Sequence, residues 1–443
     1  MFQYIRNTIR RHSKKLLWTT GIISISYLLS LYIQKKVKEF QEQLQQENAT
    51  RALIKKRFAQ TQKDCYMTFL SFLPALVEPI YTCLNVEQVT GELKLSRRNK
   101  GTPSISDDMS SITKSDVVEN DLNIDSANKK TKAELWQDLK IKSLTRFLTL
   151  IYSESLLIIL IHLQLNIISR KSYLNAALKL ATSQKTIKDE IDNSLIDNDE
   201  SIPEQAFLSF TWWLLNKGNL KLVQLIEICI REVFNEVSLR DELGMMEFGS
   251  LVNQTQMAIE NNLKKDEFYA ELYEESGLDE HPKIEKIPKI LSLLLPPEGY
   301  QLTLLQNTNS LEFLTTFQLQ QSNADLLLKL NNELSNYLKS ENVHMIVNKL
   351  ATVGVSSILP KVEQTLMSKH GTKSSDMART SETTESQPNI ASSKWKLALI
   401  LGVLTPHTQE LSSARMDNPI LYAMNNISEL DSLSASVYSN FDV

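Results

Sequence analysis

The apolar positions of this chain first cluster between Leu16 and Ile33, a stretch of 18 residues without a charge. A helix of that length is about 27 Å long, close to a bilayer hydrocarbon core of about 30 Å. A cleaved signal peptide is the alternative, but its apolar region normally covers about 7 to 15 residues and ends at a small-residue site. We therefore predict a transmembrane helix at 16–33 after a short basic segment at 1–15. Basic residues flank the stretch on both sides, unlike a buried core helix: Arg6, Arg10, Arg11, Lys14 and Lys15 before it, and Lys35, Lys36 and Lys38 after it.

A second long apolar stretch, Leu144 to Ile168, also has to be tested as a membrane span. Arg146, Glu154 and His162 interrupt it. A charge near the centre of a spanning helix costs a few kcal/mol. We therefore predict that this stretch is the central helix of a soluble bundle.

The other apolar positions repeat with a helical period. Val37, Phe40 and Leu44 recur at +3 and +4, so the anchor is expected to continue as a stalk helix through residues 36–64. Alternating runs bounded by Asn-Gly or Asp-Gly, which predict hairpins, are missing. The predicted fold class is all-α, with one helical-bundle domain at 34–443. Its expected helical blocks are 131–183, 204–238, 244–275, 309–366 and 394–404, with a weaker one at 418–430.

Polar segments separate these blocks. Residues 96–130, 186–203 and 368–393 are rich in serine, threonine or acidic residues, and 277–289 holds prolines and charges. Segments of this composition cannot bury enough apolar surface to fold alone. We predict disordered loops there.

The composition excludes several classes of protein. The chain has 11 glycines in 443 residues, about 2.5% against a usual 7%, which argues against phosphate-binding glycine loops. A net charge of −4 provides no basic field for nucleic acid. Its cysteines, Cys65, Cys83 and Cys229, form no CxxC pair, so neither a disulfide framework nor a zinc site is indicated.

Catalytic signatures are also missing. We find no GxxxxGK[ST], GxGxxG, HExxH or GxSxG motif. His162 is interpreted as a hydrogen-bonded core residue, and the carboxylate pairs lie in charged, solvated segments. We expect a protein that binds rather than catalyses, with no cofactor and no metal. An anchored enzyme with an unrecognised site is the alternative from another class.

Four stretches carry a family resemblance. They are the block at 131–168, which opens with TKAELWQDLK, IKKRFAQTQKDC at 54–65, PEQAFLSFTWWLLNKG at 203–218 and LDSLSASVYSNF at 430–441. With the basic N-terminus and the anchor, they resemble the fungal form of the peroxin-3 family over nearly the whole chain outside the variable loops.

The resemblance implies a protein that spans the peroxisomal membrane once and contacts the membrane lipid there. Its N-terminus would be lumenal, and its elongated helical bundle would be cytosolic. The basic residues alone favour a cytosolic N-terminus, whereas reduced thiols favour a cytosolic main domain. The resemblance does not determine whether the chain first inserts into the membrane of the endoplasmic reticulum. The implied role is docking receptor for peroxin-19, the soluble import receptor for peroxisomal membrane proteins, whose N-terminal helix would enter a groove.

The resemblance also implies the residues of that groove. Its motif K-x-E-x-W-x-D-L-K places Lys132 and Trp136 at the site, together with Leu93 from the preceding helix. Lys132, Trp136, Leu139 and Lys140 share one helical face at i, i+4, i+7 and i+8. By periodicity alone Trp136 fits a core position or a partner anchor, and the resemblance favours the anchor. The lysines would steer an acidic partner.

Trp212 and Trp213 form a contrasting pair. Adjacent helix positions point about 100° apart, so one is expected in the core and its neighbour near the surface. We assign the pair to packing. The alternative function is a tethering platform for organelle inheritance and degradation adaptors, through the Trp212 helix or the acidic loops.

Overall fold

The computed structural model describes the backbone of residues 2–98, 131–183, 193–268, 286–370 and 393–440. It divides the chain into two compact units, Met1–Thr61 and Gln62–Val443. Most of the predicted loops at 96–130, 277–289 and 368–393, and residues 186–192, lie outside the described residues. The prediction of an all-α chain is confirmed.

The helices and strands of the described residues are numbered in chain order. The helices are α1 Phe2–Cys83, α2 Val86–Arg98, α3 Lys132–Ser183, α4 Asn193–Ser209, α5 Thr211–Trp213, α6 Asn219–Phe234, α7 Met245–Leu263, α8 Lys289–Leu294, α9 Glu298–Thr308, α10 Leu311–Leu319, α11 Gln321–Leu338, α12 Glu341–His370, α13 Leu397–Leu411, α14 Pro419–Asn425 and α15 Ser428–Ser439. A π-helical turn at Leu214–Gly218 joins α5 to α6. The strands are β1 Glu242–Gly244, β2 Asp266–Phe268, β3 Lys286–Pro288 and β4 Lys394–Lys396.

The first unit is helical throughout its described backbone. The predicted span at 16–33 and the stalk that follows it both belong to α1. The side chains of 16–33 lie outside the described part of the structure. The helical part of both predictions is therefore confirmed, and the membrane insertion of 16–33 stays a prediction.

Helix α3 is the centre of the second unit. Every residue from Ser143 to Gln164 is buried. This segment is apolar on nearly all of its faces, and a helix of that kind belongs in a core. Three described helices are long and apolar enough to cross a membrane, but the apolar window in Lys132–Ala176 is 100% buried inside the protein. The prediction that Leu144–Ile168 is a core helix is confirmed.

Two buried polar residues of α3, His162 and Gln164, find hydrogen-bond partners inside the bundle. His162 lies with its Nδ1 3.0 Å from Ser434 Oγ and its Nε2 3.1 Å from Asn425 Oδ1. Gln164 donates to the Phe207 carbonyl and accepts from Thr211. Burial lowers the pKa of His162 to about 4, so the ring is neutral at pH 7. The interpretation of His162 as a satisfied core residue is confirmed.

The tryptophan pair divides as expected. Trp213 is 1% exposed, and its indole nitrogen donates to the Ser292 carbonyl at 2.9 Å. Trp212 is half-buried against the same core. The π-helical turn follows directly, and Gly218 within it lies so close to Leu293 that an added Cβ would be 1.9 Å from the Leu293 carbonyl oxygen. Only glycine fits at this position.

Three features of the described bundle differ from the sequence predictions. Residues 193–203, predicted as part of a loop, belong to α4. Helices α8 and α9 fall outside the predicted blocks, and the prolines at 296 and 297 separate them. Short antiparallel strands also occur: β1 pairs with β4, placing Leu243 opposite Trp395, and β2 pairs with β3. Three-residue strands are too short to show the alternation that predicts a sheet.

Candidate partner-binding site

The N-terminus of α3 is built by a local hydrogen-bond exchange. The Glu134 carboxylate accepts from the Thr131 backbone amide at 2.8 Å, and the Thr131 hydroxyl accepts from the Glu134 amide at 3.3 Å. This reciprocal capping box satisfies two amides that have no partner inside the helix. It stabilises the first turn of α3.

Lys132 and Trp136 lie on this first part of α3, and both are exposed. The Trp136 side chain is 38% exposed, against 1% for Trp213 in the core. An indole with this much accessible surface can still gain free energy by burial against another molecule. The geometry therefore leaves Trp136 available to a partner.

Leu93 lies below this surface rather than on it. With Val89 and Leu135 it forms a small buried cluster between α2 and α3, and half-buried Leu139 packs against that cluster. The cluster is separate from the main hydrophobic core. Leu93 and Leu139 therefore support the seam between the two helices, next to Trp136.

Lys140 does not fit its predicted place on the surface. It is 1% exposed, and its ammonium group donates to the carbonyl oxygens of Phe234 and Val237, both at 2.8 Å. Burial lowers the pKa of Lys140, with the Asp241 charge acting in the opposite direction. A cation bound in this way cannot steer a partner, so the predicted surface is corrected to exclude Lys140.

The sequence prediction missed the ion pair that joins α2 to α3. Arg146 Nη1 contacts both carboxylate oxygens of Glu87, at 2.9 and 2.7 Å. Arg146 is buried because it lies in the apolar stretch that forms the core of α3. A buried arginine needs a partner of opposite charge, and this signal could have led to Glu87 in the first turn of the preceding helix, α2.

The described residues offer little for catalysis. No group of three or more His, Cys, Asp or Glu side chains lies close enough to hold a metal within the described ranges. Glu154 is fully buried, and burial raises the pKa of its carboxyl group well above the usual range. A neutral acid inside a packed helix has no access to substrate. The described surface around Trp136 presents an exposed indole beside a buried apolar cluster.

Comparisons with known proteins give matches over nearly the whole chain. The profile of the Peroxin-3 family matches residues 7–440. The chain is 41% identical over 466 aligned residues to the peroxisomal membrane protein PEX3 of Komagataella phaffii, covering 100% of both chains. It is 40% identical to the protein of the same name in Komagataella pastoris, again over 100% of both. The peroxisomal biogenesis factor 3 of Debaryomyces hansenii is 32% identical, also over 100% of both chains.

Proposed function

The chain belongs to the Peroxin-3 family of peroxisomal biogenesis factors, and from this premise we propose that it is the docking receptor for peroxin-19 at the peroxisomal membrane. Peroxin-19 would bring newly made membrane proteins and dock through its N-terminal helix. The observation that supports this most directly is the exposed Trp136 beside the α2–α3 seam.

The proposed binding mode is a helix laid along this seam. Trp136 would insert among the apolar residues of the incoming helix, as tryptophan does at the energetic centre of many interfaces. The buried cluster of Leu93, Leu135 and Val89 forms the base of the seam. Lys132 is exposed one turn before Trp136 and would attract acidic residues of the partner.

The proposed topology places the bundle in the cytosol. Residues 16–33 would span the peroxisomal membrane once, with residues 1–15 in the lumen and 34–443 on the cytosolic side. The chain would reach the peroxisome directly or through the endoplasmic reticulum. Two arguments support a single span: 16–33 carries no charge, and the most apolar alternative, within α3, has no face left for lipid.

Titration with the N-terminal helix of peroxin-19 tests the docking site. The full-length chain, solubilised in detergent, is compared with Trp136→Ala by calorimetry. We expect the substitution to cost more than about 2 kcal/mol of binding free energy, since a large contact area at a hot spot is lost. The secondary structure measured by circular dichroism should not change, because Trp136 is outside the core.

A matched control is Leu220→Ala. Leu220 on α6 is 37% exposed, nearly the same as Trp136, but lies outside the α2–α3 seam. Its removal should change the binding free energy by less than about 0.5 kcal/mol. Equal binding by parent and Trp136→Ala would place the docking site elsewhere, and no binding by the parent would remove the proposed function.

A further inference from the structure

Helix α2 has an unusual attachment to the bundle. Among the described elements it packs principally on α3. Its apolar side, Val89 and Leu93, meets Leu135 and Leu139 in the small cluster that stands apart from the main core. The 13 residues of α2 are near the length at which an isolated helix is marginal in water. The helix therefore depends on these few contacts to stay folded in place.

The second attachment of α2 is the ion pair at its N-terminal end. Arg146 Nη1 contacts both oxygens of Glu87 at 2.9 and 2.7 Å. The Glu87 side chain is 54% exposed, whereas Arg146 is 1% exposed. Glu87 also lies in the first turn of α2, where a negative charge favours the helix.

Arg146 is held in place by groups that do not belong to α2. Its guanidinium carbon lies 4.7 Å from the centre of the Tyr81 ring, and the Tyr81 hydroxyl is 2.9 Å from Ser412 Oγ. Arg146 is thus an anchor fixed by α1, α3 and the end of α13, and Glu87 is the group through which α2 reaches it. Burial acts to raise the pKa of the Glu87 carboxyl group, but the hydrogen bonds it accepts and the charge of Arg146 outweigh this, so the pKa is lowered.

We infer that Glu87 is a positioning residue for the partner site: through Arg146 it keeps α2, and with it Leu93, docked on α3 beside Trp136. The inference rests on the proposed docking function. When the ion pair is lost, α2 leaves α3 in most of the molecules, and those molecules lack one side of the seam. The apparent affinity for the partner then falls by the fraction of molecules that keep α2 docked.

The test compares the full-length chain in detergent with Glu87→Gln. Hydrogen exchange is measured for the backbone amides of residues 86–98 and of the core segment 144–168. The same proteins are titrated with the N-terminal helix of peroxin-19. We expect at least tenfold faster exchange in 86–98, unchanged exchange in 144–168, and about tenfold weaker binding, as follows when about one molecule in ten keeps α2 docked.

Glu92→Gln is the matched control. Glu92 is an exposed carboxylate on the same helix, and it accepts a hydrogen bond from Gln88 of that helix. Its substitution removes the same charge from α2 without touching Arg146. Exchange in 86–98 and partner affinity should both stay within about twofold of the parent, since surface changes have small effects.

A rescue variant separates positioning from a general loss of charge. Gly91 lies in the middle of α2, and a Cβ added there meets no atom within 4 Å. Alanine at this position favours the helical and docked state of α2. Gly91→Ala added to Glu87→Gln should therefore recover several-fold of both the exchange protection and the affinity.

Three results would overturn the inference. Unchanged exchange in 86–98 would show that α2 does not need Glu87. Loss of the whole cooperative unfolding transition in Glu87→Gln would show that the ion pair supports the entire core. Faster exchange with unchanged affinity would show that α2 is no part of the site. If exchange rises as expected but the parent binds no peptide, the docking function fails while the role of Glu87 in holding α2 stands.

Discussion

The ammonium nitrogen of Lys140 lies 2.8 Å from the carbonyl oxygen of Phe234, the last residue of α6. A second contact, also of 2.8 Å, joins it to the carbonyl of Val237. Carbonyl groups at the C-terminus of a helix lack intrahelical partners and favour a positive charge. Lys140 therefore caps the C-terminus of α6 from inside the protein. It lies one turn beyond Trp136 on α3.

The first prediction follows from this contact. Lys140→Met keeps most of the side-chain length but removes the donors, so the carbonyls of Phe234 and Val237 lose a buried partner. We expect the free energy of unfolding to fall by about 1–3 kcal/mol. Urea unfolding of the full-length chain, followed by circular dichroism, measures the difference.

Lys142→Met serves as the control for this substitution. Lys142 is half-buried on the same helix, two positions later. Its change should stay within about 0.5 kcal/mol. If Lys140→Met is as stable as the parent, the two carbonyl contacts contribute no net stability, and the cost of burying the ammonium offsets them.

Lys140 also shows what sequence periodicity can and cannot determine. The pattern placed Lys132, Trp136, Leu139 and Lys140 on one face, and α3 has that face. The pattern could not show that the C-terminus of α6 packs over Lys140 on this face, because Phe234 is 94 residues away along the chain. Burial changes along the same face, from exposed Lys132 to buried Lys140. This change in burial along the face is caused by tertiary contacts, and no local sequence signal predicts it.

The second prediction concerns pH and His162. Since the Asn425 side-chain oxygen can only accept, Nε2 of His162 carries the proton and Nδ1 accepts from Ser434. The folded pKa is about 4, whereas an unfolded histidine has a pKa of about 6.5. Protonation therefore favours the unfolded chain. The stability due to neutral His162 is present above pH 6.5 and is lost as the pH falls through 4.

The size of this effect can be measured with His162→Gln. From the two pKa values the parent should lose about 3 kcal/mol of unfolding free energy between pH 7 and pH 4 through this residue. The variant lacks the titrating ring, so its stability should fall by that much less over the same range. Parallel pH profiles of parent and variant would show that His162 titrates normally in the folded protein.

The core was more accessible to sequence reasoning than the connections between its helices. The apolar run around Leu157 has no polar face, which already indicates burial. Trp212 and Trp213 could be separated by helical geometry alone. The π-helical turn could not be predicted, since it depends on the close approach of Gly218 to Leu293 from another helix.

The third prediction uses this close approach. Gly218→Ala would bring a Cβ to 1.9 Å from the Leu293 carbonyl oxygen, and backbone on both sides would have to move. We expect a loss of more than about 3 kcal/mol, at the upper end of overpacking effects. Thermal unfolding of the two proteins provides the comparison.

Gly402→Ala is the matched control, because Gly402 also lies inside a helix, α13, but has no atom within 4 Å of an added Cβ. Here alanine should leave stability unchanged or raise it by up to about 1 kcal/mol through its higher helix propensity. If Gly218→Ala has an effect as small as Gly402→Ala, helix α8 can shift away from the π-helical turn at little cost.

The last prediction tests the proposed topology through three asparagines that stand in glycosylation sequons, Asn48, Asn253 and Asn426. All three side chains are exposed, so burial in the folded protein would not hide them. With residues 34–443 in the cytosol, none should carry a glycan even when the chain inserts into the endoplasmic reticulum. Translation with microsomes, followed by endoglycosidase treatment, detects any glycan as a mobility shift.

As a positive control, a cleavable secretory signal peptide replaces residues 1–33 and sends the bundle into the lumen, where the sequons should be modified. A glycan on the unaltered chain would reverse the orientation and remove Trp136 from the reach of a cytosolic receptor.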